Sequence, residues 1–285
     1  MSKNNQTYIK QSNNLPKDFF YCEAAGLNWL ANADYPKTDL NKKTTSEKIT
    51  RVARVISAGD NFLEIEKIDP VSASPEAAYN FGISLANTHN LGAKNFGSAP
   101  DTWKDNNGTG LDGYFGPLSD PVKMDVWETD NLADYLLNGR LLPMVKIGIR
   151  RGVYTEQDYK DTAKLENKLD QILAPLKNSP AKRVHGDLWS GNVLWTENKA
   201  SKNVEAVLID PAAHGGCAEE DLAMLNLFGI SYYQEILQGY NSNTKIASEF
   251  SQRLTLWQLY PISGHAVFFG GGYITQYRSM LKSYL

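Results

Sequence analysis

The amino-acid sequence predicts an α+β protein with two lobes of unequal size. Its 285 residues include 42% hydrophobic side chains, which is enough to build a substantial buried core and is unlike a disordered chain. The pattern of the chain changes at Asp69-Pro70, where a β-rich stretch gives way to long helical segments. We therefore predict a small, mixed lobe over residues 1–68 and a larger, mainly helical lobe over residues 69–285.

The small lobe is predicted to hold three strands and a helix. Residues 7–10 have the pattern of a short strand, residues 16–31 that of a helix with one apolar face, and residues 49–68 that of two strands around a turn at 58–61. Glu23 lies beside the apolar face of the helix. Because a carboxylate in such a place needs a cationic partner or a shifted pKa, the sequence marks Glu23 as a candidate functional residue.

The larger lobe begins with a helix whose limits are marked in the sequence. Ser74 is a predicted N-cap, Pro75 occupies the first turn, and the helix is expected to run to Asn90 and to stop at Gly92. Residues 94–121 then form a long loop that holds four aromatic side chains, and a loop of this length is usually functional. Further helices are predicted at residues 129–138, at residues 155–176, and from residues 221, 231 and 246 onward.

The charge and cysteine content exclude several classes of protein. The net charge is -3 and there is no run of Lys and Arg, so a nucleic-acid partner is disfavoured. Residues 1–15 are polar and contain neither a signal peptide nor a membrane span, so we expect a cytoplasmic protein without membrane contact. Cys22 and Cys217 stand far apart, which favours reduced thiols over a disulfide or a zinc site.

One segment carries the residue types that catalysis needs. Asp187 lies in a short polar loop between two β-type runs, Asn192 follows five residues later, and Asp210 ends the next apolar strand. This is the order and near-spacing of the kinase catalytic loop and its metal-binding aspartate. We expect Asp187 to be the catalytic base, and Asn192 and Asp210 to hold Mg²⁺. His185 is expected to brace the loop by hydrogen bonding. The structural alternative is a hairpin with turn-forming residues.

The letters HGDLWSGN at residues 185–192 resemble the signature of the fructosamine kinase (ketosamine 3-kinase) family, relatives of the aminoglycoside phosphotransferases. The resemblance extends from about Tyr8 to the C terminus. It implies a two-lobed protein-kinase-like fold and an ATP-dependent, Mg²⁺-requiring kinase. The implied partner is a small-molecule ketosamine or a related sugar-amine acceptor, phosphorylated on a sugar hydroxyl such as the 3-hydroxyl of a fructosamine.

The resemblance also assigns residues to the acceptor side. Trp189 narrows the class most, because aminoglycoside and choline kinases usually lack the Leu-Trp-Ser-Gly stretch in which it lies. An indole beside the catalytic aspartate suits stacking on a sugar ring, and the alternative is a place in the core. Trp127 and His265 are implied as further acceptor residues. The resemblance also implies that Asp221 anchors the catalytic loop from the helix that follows it. The alternative is that this first-turn acid complements the helix dipole.

Nucleotide-binding residues are implied in the small lobe. Lys10 resembles the lysine that holds the α and β phosphates of ATP, and Glu23 resembles the helix glutamate that orients this lysine. The extended backbone of Glu66, Lys67 and Ile68 resembles the segment that bonds the adenine edge. The structural alternatives are a solvated Lys10 near a frayed terminus and an exposed edge strand in the last segment.

The sequence departs from the family at two places. Kinases of this type carry a glycine-containing hairpin before the lysine to cover the phosphates. Nine residues precede Lys10 here and none is glycine, so we expect a shortened small lobe without an evident glycine-rich loop. On the acceptor side, Gly113 stands where the family usually has Asn.

Two other functions are compatible with the same residues. The groups could phosphorylate another small alcohol, such as an aminoglycoside or a choline-like compound. A pseudokinase-like binding protein is the non-enzymatic alternative, which the joint presence of Asp187, Asn192 and Asp210 disfavours. The sequence does not specify an oligomeric state.

Overall fold

The computed structural model describes residues 7–32 and 48–285, and its first part is a small antiparallel sheet with one helix. In chain order the elements are β1 (Thr7–Gln11), α1 (Phe19–Leu30), β2 (Arg51–Val52), β3 (Val55–Gly59) and β4 (Phe62–Glu66). Strand β4 lies between β1 and β3, so the alternative of an exposed edge strand is wrong for β4. The predicted strand at 7–10, the helix and the turn at 58–61 are confirmed.

Helix α1 packs through its apolar face and carries Glu23 inward. Phe20 and Leu27 are buried and share a hydrophobic cluster with Leu63 of β4. Gly26 permits a close approach to the segment after residue 210, because a Cβ here would stand 3.2 Å from the Cβ of Ala213. The helix is therefore in contact with the small sheet on one side and with the larger part of the chain on the other.

The larger part is mainly helical, as predicted. Its elements are α2 (Pro75–Asn90), β5 (Gly113–Phe115), β6 (Val122–Met124), α3 (Leu132–Asp134), α4 (Leu142–Arg150), α5 (Glu156–Ala163), α6 (Glu166–Ile172), β7 (Lys182–Val184), β8 (Val193–Glu197), β9 (Val204–Leu208), β10 (His214–Gly216), α7 (Ala218–Leu227), α8 (Tyr233–Asn243), α9 (Phe250–Phe269) and α10 (Gly272–Lys282). Among the helices of the described ranges, none is long and apolar enough to cross a lipid bilayer.

The predicted helix signals act as expected at α2. The side chain of Ser74 accepts a hydrogen bond from the backbone N–H of Ala77, and Pro75 takes the first position, where its missing N–H costs nothing. Gly92 follows the helix with φ of +74°, a conformation that glycine adopts without strain. The start and the end of this helix are both confirmed.

The helix predicted at 129–138 has a different form. A three-residue α3 passes into a π-helix over Tyr135–Leu141, and α4 follows without a break. Pro143 sits in the first turn of α4, where its ring is tolerated. Helix α7 begins at Ala218, earlier than the predicted start at residue 221. The Glu220 side chain caps it by accepting from the backbone N–H of Cys217 at 2.6 Å.

Strand pairing and loop contacts both help to join the small lobe to the larger part. Strand β2 does not enter the small sheet and instead pairs in parallel with β9, which pairs antiparallel with β8. The long loop at 94–121 returns over α1, where Thr102 donates to the carbonyl of Ala25 at 2.8 Å and Tyr114 donates to the Asp18 carboxylate at 2.6 Å. The two lobes therefore share a continuous packed contact beside the cleft.

Candidate active site

The segment at residues 185–192 connects two strands that do not pair with each other. Strand β7 pairs with β10, and β8 pairs with β9, so the alternative of a simple hairpin is wrong. The buried Asp221 of α7 holds the start of this loop by accepting from the backbone N–H of His185 at 2.8 Å and of Gly186 at 3.0 Å. The expected anchor from the following helix is confirmed.

The side chain of His185 braces the loop by hydrogen bonding, as expected. Its Nε2 lies 2.9 Å from the backbone oxygen of Ile209, the residue before Asp210. Burial lowers the pKa of His185, so the ring is neutral at ordinary pH and donates this hydrogen bond. The contact ties the catalytic loop to the end of β9.

Asp187 and Asn192 are in direct contact. The Nδ2 group of Asn192 donates to the backbone oxygen of Asp187 at 2.8 Å and to its Oδ2 at 3.2 Å. Burial raises the pKa of Asp187 to about 7, and the nearby carboxylate of Asp210 adds to the rise. A carboxylate with a pKa near the working pH is well suited to accept and release a proton.

Asp210 follows β9 in an unusual backbone conformation. Its φ is +55°, a left-handed value that costs free energy in residues other than glycine and that Asp tolerates better than most. Strain of this kind persists where the surrounding structure requires it, often at functional sites. Here it accompanies a carboxylate whose Oδ1 lies 3.1 Å from the Nζ of Lys10.

Lys10 on β1 is held by two carboxylates. Its Nζ donates to both oxygens of Glu23 at 2.9 Å, and the two side chains are only 11% and 7% exposed. Burial lowers the pKa of Lys10, but the charges of Glu23 and Asp210 outweigh it and the net pKa is raised. Burial raises the pKa of Glu23, and Lys10 opposes this rise. The alternative of a solvated Lys10 is wrong. Lys17, which lies just before α1, does not take part in this group, because its side chain is 88% exposed.

The oxygen donors of this cluster fit Mg²⁺. The cation prefers oxygen ligands and is usually held by one or two carboxylates together with substrate phosphates and water. Because Asn192 bonds the loop through Nδ2, its Oδ1 is left for a metal, and the Asp210 side chain is 38% exposed toward the cleft. Within residues 7–32 and 48–285, no three His, Cys, Asp or Glu side chains form a metal-binding group.

These groups line a cleft of about 600 Å³. Its lining combines Lys10 and Glu23 with Asp187, Asn192 and Asp210. The lining also holds aromatic rings, and among them are Trp189, His265, Phe268 and Phe269, with Tyr114 and Phe115 from the long loop. The cleft therefore offers charged groups suited to phosphates and aromatic groups suited to an organic acceptor.

Trp189 is one of the aromatic residues that line the cleft. Its side chain is 38% exposed, so the alternative of a core position is wrong. The ring covers Gly191, where a Cβ would stand 2.2 Å from the indole, and it meets Phe228 edge-on at 6.2 Å between ring centroids. One part of the indole is thus fixed while the rest is accessible from the cleft.

His265 of α9 is surrounded by aromatic rings. Its ring centroid lies 4.8 Å from that of Phe228, and Phe269 and Tyr273 lie on its other sides. Nδ1 lies 2.8 Å from the carbonyl oxygen of Pro261, which can only accept, so Nδ1 carries the proton. Burial lowers the pKa of His265, and its neutral ring leaves Nε2 as an acceptor.

Two predicted groups are absent from the residues that line this cleft. Trp127 is one of them; its Nε1 donates to Asp134 at 2.8 Å and its ring packs against Gly139. Its role on the acceptor side stays a prediction. Residues 66–68 do not line the cleft either, and the Glu66 carboxylate instead accepts from Arg51 at 2.8 Å. The expected absence of a glycine-rich loop concerns residues before β1, and residues 1–6 lie outside the described part.

Sequence reasoning missed several residues of the site. Cys22 and Leu118 carry no functional signal in the sequence, yet both line the cleft. Tyr114 and Phe115 also line it, and the sequence places them in a loop that is expected to be functional. Both cysteines are free, as predicted.

Comparison with known proteins gives a consistent result along the whole chain. The sequence model of a family described as fructosamine kinase matches residues 1–285. A probable ketoamine kinase of Synechocystis is 32% identical, covering 98% of this chain and 82% of its own length. A probable ketoamine kinase of Enterococcus faecium is 27% identical, covering 97% of this chain and 87% of its own length.

Solved structures agree with the sequence comparison. The crystal structure of a "putative fructosamine-3-kinase" from Thermobifida fusca superposes with a TM-score of 0.78 at 32% identity, covering 97% of this chain and 84% of that one. An aminoglycoside phosphotransferase solved with streptomycin and ATP superposes with a TM-score of 0.59 at 13% identity, covering 98% of this chain and 86% of that one. The second likeness shows the fold, which is the protein-kinase-like α+β fold that the sequence predicts.

Proposed function

The chain belongs to the fructosamine kinase family and is a phosphotransferase with an alcohol group as acceptor, and we propose that it transfers the γ-phosphate of ATP to a sugar hydroxyl of a small ketosamine. The observation that carries this proposal is the joint placement of Lys10, Asp187, Asn192 and Asp210 around one cleft whose lining also holds aromatic side chains. The 3-hydroxyl of a fructosamine-like sugar is the proposed acceptor atom.

In the proposed reaction Asp187 acts on the acceptor. Its carboxylate accepts the proton of the sugar hydroxyl as the oxygen forms a bond to the γ-phosphorus and the bond to the β-phosphate oxygen breaks. A pKa of about 7 for Asp187 allows it to be unprotonated at neutral pH. Asn192 keeps the carboxylate in place through the 3.2 Å contact of Nδ2 with Oδ2.

The other charged residues act on the nucleotide. Lys10 binds the α and β phosphates, and Glu23 holds Lys10 in the orientation that reaches Asp210. Asn192 and Asp210 hold Mg²⁺, which offsets the negative charge of the phosphates when it is bound. Because Lys10 already touches Asp210, the phosphate-binding and metal-binding groups are close before any ligand enters.

The two lobes are assigned different parts of the reaction. We assign nucleotide binding to residues 1–68 and catalysis with acceptor binding to residues 69–285. The backbone of residues 66–68 is proposed to meet the adenine edge, since it joins the small sheet to the larger lobe. The segment just after it is fixed there, because Thr196 donates to the carbonyl of Asp69 at 2.9 Å.

On the acceptor side, Trp189 stacks on the sugar and the Nε2 of His265 accepts a hydrogen bond from it. This assignment follows from the exposed part of the indole and from the neutral tautomer of the histidine. These contacts suit a polyol ring or chain held by stacking and hydrogen bonds, and the amine of the acceptor is what the family likeness adds.

Transfer of labelled phosphate tests the proposed function. The protein is incubated with γ-labelled ATP, Mg²⁺ and one acceptor from a panel of fructosyl-lysine, ribulosyl-lysine, kanamycin and choline. We expect label on the ketosamines and a much smaller amount on the other two acceptors. Equal or preferred labelling of kanamycin or choline would replace the ketosamine assignment, and no transfer to any acceptor together with no binding of Mg-ATP would contradict a kinase altogether.

A further inference from the structure

A buried polar network lies directly behind the catalytic loop, and the proposed reaction makes no use of it. At its centre is Tyr135, which is 0% exposed. Its hydroxyl lies 2.7 Å from Nε2 of His214 and 2.8 Å from Oε2 of Glu220. The guanidinium of Arg140 lies over the Tyr135 ring, 4.8 Å from its centroid. The π-helix, β10 and α7 each contribute to this group, so it joins three elements at one hydroxyl.

The network touches the catalytic loop at Gly186, the residue before Asp187. Gly186 has φ of +79°, and a Cβ here would stand 2.2 Å from the backbone oxygen of Ala212 and 2.8 Å from Nδ1 of His214. His214 is itself fixed, because its Nδ1 lies 2.7 Å from that same oxygen of Ala212. Any movement of the His214 ring therefore acts directly on the backbone at Gly186.

The hydrogen bonds of the network require the Tyr135 hydroxyl. The carbonyl of Ala212 can only accept, so Nδ1 of His214 carries a proton and donates it. The hydroxyl can donate one hydrogen bond and accept another: it donates to Oε2 of Glu220, and its oxygen faces Nε2 of His214, which lies 3.4 Å from the same Oε2. Without the hydroxyl these two atoms lose their bridge and the His214 ring loses its support on this side.

The charge of Arg140 indicates that this network does more than fill space. Arg140 is 3% exposed, and its Nη1 donates to the backbone oxygens of Gly139 at 2.9 Å and of Asp125 at 3.3 Å. Its Nε has no hydrogen-bond partner, and no carboxylate of the described ranges forms a salt bridge with it. Burying a cation in this way is costly, and an apolar side chain of similar size would serve packing at lower cost. The residue also lies on a π-helix, a form of backbone that is frequent at functional sites.

We propose that Tyr135, held by Arg140 and bridging His214 and Glu220, is a positioning residue that fixes Gly186 and thereby aims Asp187 at the acceptor hydroxyl. The inference rests on the proposed function, in which Asp187 is the base. Tyr135 does not touch the substrates in this account, and it acts through His214 and the loop backbone.

The variant Tyr135→Phe removes only the bridging hydroxyl. Tyr277→Phe is the matched control, since Tyr277 is also 0% exposed and its hydroxyl bonds Thr162 at 2.7 Å, away from the catalytic loop. In the protein without nucleotide, hydrogen–deuterium exchange of residues 185–192 is expected to be faster in Tyr135→Phe and unchanged in Tyr277→Phe. In the transfer assay, Tyr135→Phe is expected to lower kcat about tenfold or more without changing the KM for ATP.

Two results would overturn the inference. One is an unchanged exchange rate in residues 185–192 of Tyr135→Phe, and the other is a kcat equal to that of Tyr277→Phe; either would leave Tyr135 with a packing role only. If Tyr135→Phe does not fold, Glu220→Gln is the variant to measure. The glutamine keeps an oxygen that accepts from the N–H of Cys217, but it removes the negative charge next to the Tyr135 hydroxyl. Wild-type exchange and wild-type kcat in that variant would also overturn the inference.

The exchange measurement separates this inference from the proposed function. It needs no acceptor and no nucleotide, so it reports on the loop alone. A wild-type protein that phosphorylates no ketosamine would contradict the proposed function, whereas the comparison of Tyr135→Phe with Tyr277→Phe would still decide whether the network holds the loop.

Discussion

The ammonium group of Lys10 lies 3.1 Å from Oδ1 of Asp210. The first residue is on the first described strand and the second is at the end of β9, so one ion pair joins the small sheet to the catalytic loop region. Glu23 completes the group at 2.9 Å from the same nitrogen. Contacts within the protein therefore set the relative position of Lys10 and Asp210, the proposed phosphate-binding and metal-binding residues.

Replacement of Lys10 tests this group through stability. In Lys10→Met the buried Glu23 loses its cation, and we expect the free energy of unfolding to fall by about 3 kcal/mol. Adding Glu23→Gln removes the uncompensated charge and is expected to recover about 1 kcal/mol. Urea unfolding of the two variants measures both values. A double variant that is less stable than Lys10→Met would contradict the assignment of a buried ion pair.

Removal of the Trp189 indole tests the acceptor side. In Trp189→Ala the KM for the ketosamine is expected to rise about fivefold, because stacking on a ring contributes about 1 kcal/mol, while the KM for ATP stays unchanged. Tyr79→Ala is the control, since Tyr79 is an exposed aromatic residue on α2 with a similar exposed fraction, 37% against 38%. An acceptor KM that changes equally in both variants would remove Trp189 from the site.

Gly186 is expected to tolerate no side chain. In Gly186→Ala the added Cβ meets the backbone oxygen of Ala212 at 2.2 Å, which must displace the loop that carries Asp187. We expect kcat to fall about 100-fold, as for other small displacements of a reacting group. Gly152→Ala is the control, because Gly152 has a similar φ of +72° and no heavy atom near the added Cβ. Retained activity in Gly186→Ala would contradict the described loop geometry.

The ion pair between Asp158 and Arg278 predicts a pH-dependent stability. Hydrogen bonds from Arg278 lower the pKa of Asp158 to about 2. A carboxylate with a lowered folded-state pKa stabilises the fold above its unfolded-state pKa, and this contribution is lost as the pH falls toward 2. Because Arg278 is 50% exposed, solvent screening leaves a contribution of about 1 kcal/mol.

Thermal melts of the wild type and Asp158→Asn measure this contribution. The difference in melting temperature is expected to be about 2–4 °C, constant between about pH 5 and pH 8, and smaller at pH 3. A difference that grows as the pH falls would contradict the sign assigned to the Asp158 carboxylate.

The parts of the site that the sequence predicts are those encoded by short, local patterns. The spacing of Asp187 and Asn192 is fixed within one loop, and Glu23 stands out because it lies beside an apolar helix face. The structure brings these residues together with Lys10 and Asp210. Local pattern is sufficient here because each residue lies at the end of an element or on a defined helix face.

The remaining parts depend on contacts between distant elements, which no local pattern encodes. Tyr135 meets His214 and Glu220 only because the π-helix, β10 and α7 converge. The fold class was predictable from the change at Asp69-Pro70, where a β-rich stretch gives way to helical segments. The pairing of β2 with β9 was not predictable, because two residues carry too little signal.

The most direct test of the central claim is the rate of phosphate transfer to fructosyl-lysine by Asp187→Asn, measured in a single turnover with saturating Mg-ATP. Asn has the size of Asp but cannot accept the proton, so we expect transfer to slow by a factor of about 100 or more while calorimetry shows unchanged binding of Mg-ATP. Transfer at the wild-type rate by Asp187→Asn would contradict the assignment of Asp187 as the catalytic base.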